Sequence, residues 1–412
     1  MSEFKMRARY TKVGAVLTLL LLTHNASSDE HAHNAPGTAV PAARPAKQQL
    51  GSSTAFDPSG VLWTVSRDGD TGADHLVLEH SADSGETWSA KVSINAESVV
   101  ASGDERPRIN FGAKGEIYIT YSRPLSKAYT SEVRFMRSEN GGHSFSEPVT
   151  VHKDMNVITH GFASTVVDAK GYIYVTWIDK RDQQEAKEAG HPYAGAAQYY
   201  AVSLDGGRSF QGDYKIADHS CECCRSSLAL NSEGHAVLLW RHVFQPNIRD
   251  HAFTMLTPGG KPQTIERATF DNWAIDACPH QGPALAYGDD GRRHQTWFTG
   301  GEDGGGLYYA SQAATGGLVT PIRLGSGQAA NAEVAVSGQQ VEIAWKEFDG
   351  TVTQIRGMSS GDAGHTWQTR TLASTNGASD QPRLAKNGRR IFLVWRTETD
   401  GMRTISLPGA KP

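Results

Sequence analysis

One pattern occurs seven times along the chain. A turn holding Gly or Asn leads into a short apolar run that often ends in Trp or Tyr. The copies are SGVLWTVSR (59–67), KGEIYITYSR (114–123), KGYIYVTWID (170–179), EGHAVLLWRH (233–242), DGRRHQTWFT (290–299), GQQVEIAWKE (338–347) and NGRRIFLVWRT (387–397). They recur roughly every 50–60 residues, a spacing that marks propellers and other arrays. A shorter strand-like run precedes each copy, and two more follow most of them. Four short strands per unit make a propeller blade. The pattern predicts an all-β fold, a single β-propeller of four-stranded blades. Seven blades fit the seven copies, with six as the alternative. The seventh unit, from Gln381, runs out after MRTISL and lacks an outer strand. The segment Thr38–Gln49 is expected to supply it, closing the ring with a strand from the N-terminal side. The one helical pattern, DQQEAKEAG (182–190), reads as a loop insertion.

A second repeated element joins the third and fourth strands. Its copies are SADSGETW (81–88), SENGGHSF (138–145), SLDGGRSF (203–210) and SGDAGHTW (360–367). In each, Asp or Asn bonds local N–H groups, Gly supplies positive φ, and the aromatic packs on the blade. This element resembles the S-x-D-x-G-x-T-W repeat of the Asp-box (BNR), sialidase-like β-propellers. The resemblance spans nearly all of residues 49–412 and implies the propeller fold. The repeat is structural in that family and implies no chemistry.

An active sialidase has arginines for the substrate carboxylate, an acid/base Asp, and a Tyr nucleophile assisted by a Glu. Arginine suits the first role because its planar fork matches a carboxylate. Basic residues recur after the second strands, at Arg67, Arg123, Lys180, Arg181, Arg241, Lys346 and Arg396. Of these, Arg241, Lys346 and Arg396 are candidate anion-binding residues. Arg106 and Arg108 in DERPR and Arg383 in DQPR lead into innermost strands. The family's Arg-Ile-Pro signature is missing, since AARPAKQQ offers only Arg44-Pro45. A non-sialidase member is therefore expected. A sialidase-like glycoside hydrolase is the second reading, and a protein- or glycan-binding propeller with structural disulfides is the third. The insert 178–196 suits a partner surface.

The N-terminus carries Lys5, Arg7, Arg9 and Lys12, then an apolar run from Val13 to Leu22, then Ala26, Ser27 and Ser28. That layout is a cleaved secretory signal over 1–28, too short in its apolar part to span a bilayer. Residues 29–48 read as a flexible leader. The expectation is an exported protein, periplasmic or secreted, with no membrane insertion after cleavage. The net charge of −4 becomes −7 without the four basic residues and one acidic residue of 1–28, which argues against nucleic acid.

Only four cysteines occur, and three of them crowd into HSCECCR (219–225); the fourth lies in DACPHQGP. Both stretches lead into innermost strands, of the fourth and fifth units, so the topology sets them side by side at the channel mouth. His160, in ITHGFAST, leads into the third. Cys221, Cys223, Cys224 and Cys278, with His280 or His219, form a candidate site for a soft metal. Thiolates suit Cu(I), with zinc as the alternative. Arg225 and Lys215 are near enough in sequence to stabilise thiolate charge. Two structural disulfides are the competing expectation. Cleavage after Ser28 would also expose Asp29-Glu30-His31, a nitrogen set suited to Cu(II), with His33 nearby. The metal or a small anion is the expected ligand, and a protein partner would meet the same face.

Overall fold

The computed structural model describes residues 50–68, 75–94, 97–261, 264–277, 279–301 and 304–408. Seven antiparallel sheets follow one another along the chain, and each is a meander. Blades 1 to 6 have four strands each. They run from Ser52–Phe56 to Val92–Ser93, from Arg108–Phe111 to Val149–Thr150, from His160–Val167 to Gln211–Ser220, from Ser227–Leu230 to Glu266–Arg267, from Ala284–Tyr287 to Ile322–Leu324, and from Ala329–Ser337 to Gln368–Thr375. Blade 7 has three strands among the described residues, Arg383–Asn387, Arg390–Thr397 and Gly401–Ser406. The expected closing strand, Thr38–Gln49, lies outside the described residues, as do the signal and the leader. Among the described residues no helix is long and apolar enough to cross a membrane.

The repeated runs of the sequence are the second strands. Their alternation is nearly lost because both faces are covered by neighbouring blades: Ile173–Asp179 and Ala236–Arg241 are buried at every position. Trp177, Trp240, Trp297, Trp345 and Trp395 recur on these strands and are fully buried. A ring of sheets needs this, since bulky side chains must fill the wedge that opens between blades with distance from the axis.

Blade 1 packs directly on blade 7. Phe56 meets Phe392 with ring centroids 5.1 Å apart. Arg396 donates to the Arg67 carbonyl at 3.0 Å, and Ser52 N–H and hydroxyl both donate to Asp380 Oδ2, at 2.8 and 2.5 Å.

The four hairpins share one hydrogen-bond scheme. In blade 3, Ser203 Oγ donates to Asp205 Oδ1 at 2.7 Å and accepts Gly207 N–H at 2.7 Å, while Asp205 accepts Ser209 N–H at 3.0 Å and its hydroxyl at 2.6 Å. Slight burial raises the Asp205 pKa, but the bonds from Ser209, Ser203 and Arg208 N–H outweigh it and bring it down to about 2. The depressed value means that the bonds contribute fully above the ordinary carboxylate range and are lost only as pH falls through about 2. An NMR titration should therefore find the Gly207 and Ser209 amide shifts constant down to pH 3. A midpoint near the unperturbed value of about 3.9 would contradict this.

The helical insert is Arg181–Glu188, between the second and third strands of blade 3, and overlaps the expected stretch 182–190, starting one residue earlier and ending two earlier.

Candidate functional site: a buried thiol pair at the channel mouth

Loops joining second to third strands and loops leading into innermost strands open on the same face. One cavity of about 670 Å³ draws on both kinds: Leu125 and Tyr129 from blade 2, Lys180 from blade 3, Phe162 near the start of the innermost strand of blade 3, and Glu222, Cys223 and His280 from loops leading into blades 4 and 5. The helical insert braces it. Glu222 pairs with Lys180 at 2.6 Å and accepts Gln183 Nε2 at 3.3 Å.

The cysteine loop is pinned from both sides. Cys221 N–H donates to the Arg241 carbonyl at 3.0 Å, and Val243 N–H to the His219 carbonyl at 2.7 Å, so the loop extends the second strand of blade 4. His219 accommodates the turn at φ 60°. On the other side, the blade 5 loop Gln281-Gly282-Pro283 presses on Arg225. A Cβ at Gly282 would stand 2.2 Å from the Arg225 carbonyl oxygen, so only glycine fits there. Gln281 N–H also donates to the Cys224 sulfur.

The sulfurs of Cys221, Cys223 and Cys224 lie within 4.8 Å of one another, and all three side chains are buried. Cys223 is disulfide-bonded. Cys221 and Cys224 are free thiols, 3.1 Å apart, and share a hydrogen bond. Cys278 lies outside the described residues. Phe162 packs over the group.

The two thiols are unequal. The hydrogen bond with Cys224 holds the Cys221 pKa down to about 6 against its burial, aided by the Arg241 cation and the Cys223 N–H. Burial, then the bond to Cys221, push Cys224 well up. The pair gives up one proton readily and keeps the other, the behaviour of two coupled groups rather than of either cysteine alone.

Other expected site residues stand elsewhere. Neither His219 nor His280 brings a ring nitrogen into the sulfur group. His219 Nδ1 lies 3.0 Å from the Ala194 carbonyl, and His280 lines the cavity on the Cys223 side. Arg241 is almost fully buried and donates to three carbonyls, Arg249 at 2.9 Å, Gln281 at 3.1 Å and Phe298 at 2.7 Å. Its charge also favours the thiolate form of Cys221 and the ionised form of Asp271. Lys346 donates to the Ser379 carbonyl at 2.7 Å, and Arg396 to Arg67 as above. Lys215 pairs with Asp182 at 2.6 Å and with Asp218, and Arg225 pairs with Asp104 at 3.2 Å. The cations that favour the Cys221 thiolate are Arg241, from the adjoining second strand, and then Arg249, rather than Arg225 or Lys215.

His160 belongs to a separate knot. Its Nε2 lies 3.6 Å from Asp154 and 3.8 Å from Asp179, and His152 stacks on its ring at 3.9 Å. Arg181 lies among these acids, 2.7 Å from both Asp179 and Asp213. A guanidinium already neutralises the carboxylates, so the group braces the insert.

No protein-family model matches the chain, and no curated protein sequence matches it. Solved structures do. An ulvan lyase aligns with 86% of this chain and 91% of its own, at 10% identity and a TM-score of 0.57. Polysaccharide lyase Uly1 aligns with 92% of this chain and 94% of its own, at 8% identity and a TM-score of 0.56. A protein of unknown function from Dyadobacter fermentans aligns with 77% of this chain and 95% of its own, at 14% identity and a TM-score of 0.51. The chain is a β-propeller similar in fold to these two polysaccharide lyases and to this protein of unknown function. At such identities the likeness extends to the fold alone.

Proposed function

We propose that this protein is an exported propeller that binds a soft metal ion, Cu(I), through the Cys221 and Cys224 thiolates at the channel mouth. The observation that carries this reading is the pair of free, buried thiols 3.1 Å apart, with a third sulfur within 4.8 Å. A large propeller core has no need of such a pair for stability. Two sulfurs without an imidazole are a full ligand set for a two-coordinate monovalent ion, whereas structural zinc takes four ligands. With metal–sulfur bonds of about 2.3 Å, an in-line pair stands about 4.6 Å apart, so small rotations of the two side chains open the pair to receive the ion. Arg241 favours the thiolate form that a metal requires. The disulfide at Cys223 suits an oxidising compartment, which supports export. The cavity beside Cys223 is where a protein partner or small ligand would meet the site.

The test is an anaerobic titration with Cu(I) against a competing chelator. Wild-type protein should bind one equivalent. Cys221→Ser and Cys224→Ser should each weaken binding by about a hundredfold or more, with unchanged circular dichroism. Bound copper should also protect both thiols from alkylation. If wild-type protein binds copper no better than a variant lacking all four cysteines, the reading fails.

A second reading follows from the disulfide at Cys223. The Cys221 thiolate could attack the Cys223 sulfur, forming a Cys221–Cys223 bond and releasing the former partner of Cys223 as a thiolate. Acid-quenched alkylation and mass spectrometry would separate the two. Exchange moves the label among cysteines in the absence of metal, and metal binding alone does not. Glycan cleavage, as in the lyases of similar fold, rests on fold likeness only.

A further inference from the structure

The axis of the ring holds more positive charge than its own carboxylates balance. A cavity of about 340 Å³ runs along it, and the innermost strands of all seven blades, or the residues leading into them, contribute to its wall. Four guanidiniums face it: Arg106 and Arg108 of blade 2, Arg225 ahead of blade 4, and Arg383 of blade 7. Among the described residues the acids paired with them are Glu333 and Asp104. Arg383 pairs with Glu333, Arg225 lies 3.7 Å from Glu333 and 3.2 Å from Asp104, and Arg106 lies 3.7 Å from Glu333. Arg108 is given to the Ala163 carbonyl at 2.9 Å and to Ser164 Oγ at 3.3 Å. Four cations therefore face two anions.

Arg106 is the telling member. Its side chain has no exposure, yet Nε, Nη1 and Nη2 all lack a hydrogen-bond partner, and so does Arg383 Nε. Buried donors left without acceptors are costly, and a guanidinium more so than a neutral group. Burial, and the neighbouring Arg225 charge, also lower the Arg108 pKa to about 10. A ligand supplying two negative charges and several acceptor oxygens would balance the charge and satisfy these donors.

We propose that the central channel binds a small divalent oxyanion of the sulfate or phosphate class on Arg106, Arg108, Arg225 and Arg383. Guanidinium forks match such oxygens in pairs. Ser164 and Ser226 add hydroxyls to the same wall. The lining contains no Tyr and no Asp, so the acid and nucleophile of a sialidase are absent from it. Arg225 directly follows Cys224, so an anion here also fixes the backbone that carries the thiol pair.

Calorimetric titration with sodium sulfate and with sodium phosphate, at ionic strength held constant with chloride, tests the site. Wild-type protein should show one saturable event for at least one of the two anions, and the tighter of them identifies the ligand. Arg106→Gln should weaken it about tenfold or more; its guanidinium makes no hydrogen bond in the fold, so the variant should fold normally. Glu333→Gln removes competing negative charge and should tighten it. Sulfate also stabilises proteins generally by exclusion from their surface, an effect that neither substitution would alter. Equal binding of the tighter anion by wild type and Arg106→Gln, or no saturable heat with either anion, overturns the proposal.

Discussion

Replacing Arg241 with Met should destabilise the propeller by about 3–5 kcal/mol, and in the metal-free protein it should also raise the pH at which the thiol pair begins to react. The stability loss comes from the three carbonyls of Arg249, Gln281 and Phe298 that share this one guanidinium. Each is in or near the wall between blades 4 and 5, and a buried acceptor stripped of its donor costs about 1–3 kcal/mol. Methionine fills similar volume, so the change reads out the lost donors rather than a cavity. The second effect follows from the cation beside Cys221, which helps to hold its pKa down to about 6. Without it the first proton should leave the pair at higher pH. Urea unfolding measures the first effect, and the pH profile of iodoacetamide alkylation measures the second. Destabilisation with an unmoved profile would separate Arg241 from the thiol chemistry and leave it a purely structural brace.

That residue also shows where sequence reading stops. Its position after a second strand made it one of a periodic set of basic residues, and periodicity is a local signal. Its partners are carbonyls 8, 40 and 57 residues away, on two loops and on the second strand of blade 5, which only the closed ring brings together. Much of the fold was legible because it too is local: the Gly turn, the apolar run and the Ser-x-Asp hairpin are each complete within a dozen residues. The site was legible to the extent that topology alone determines it. HSCECCR was expected at the mouth beside the blade 5 loop, and the packing of Gly282 on Arg225 shows those loops in contact. Which cysteine is bridged and which two stay free depends on side-chain directions within a four-residue turn, and the residue order leaves that open. The channel arginines were visible as DERPR and DQPR, but their convergence is a property of the axis, where residues 106 and 383 become neighbours through Glu333.

Asp380 should lower the stability of the ring as pH rises from about 4 to about 7. This carboxyl is buried where blade 7 meets blade 1, and burial pushes its pKa up to about 7, against the bonds from Ser52 and from Gln381 N–H that favour the anion. A raised acid binds its proton more tightly in the folded state. Its contribution is therefore complete below the unfolded value near 3.9 and disappears as pH passes through 7. A shift of this size corresponds to about 4 kcal/mol over the whole window. Glu105 and Glu342 are raised by burial and act in the same direction, whereas burial lowers His152, His242, His251 and His294, which act oppositely, so the variant is needed to isolate this carboxyl. Asp380→Asn cannot ionise, so its unfolding free energy should rise relative to that of wild type between pH 5 and pH 8. The variant should also start lower. Asp380 presents an acceptor oxygen to Ser52 N–H on one side and to Gln381 N–H on the other, and Asn must turn an NH₂ toward one of them. Parallel pH profiles for the two proteins would show that the blade 1–blade 7 closure does not depend on this proton.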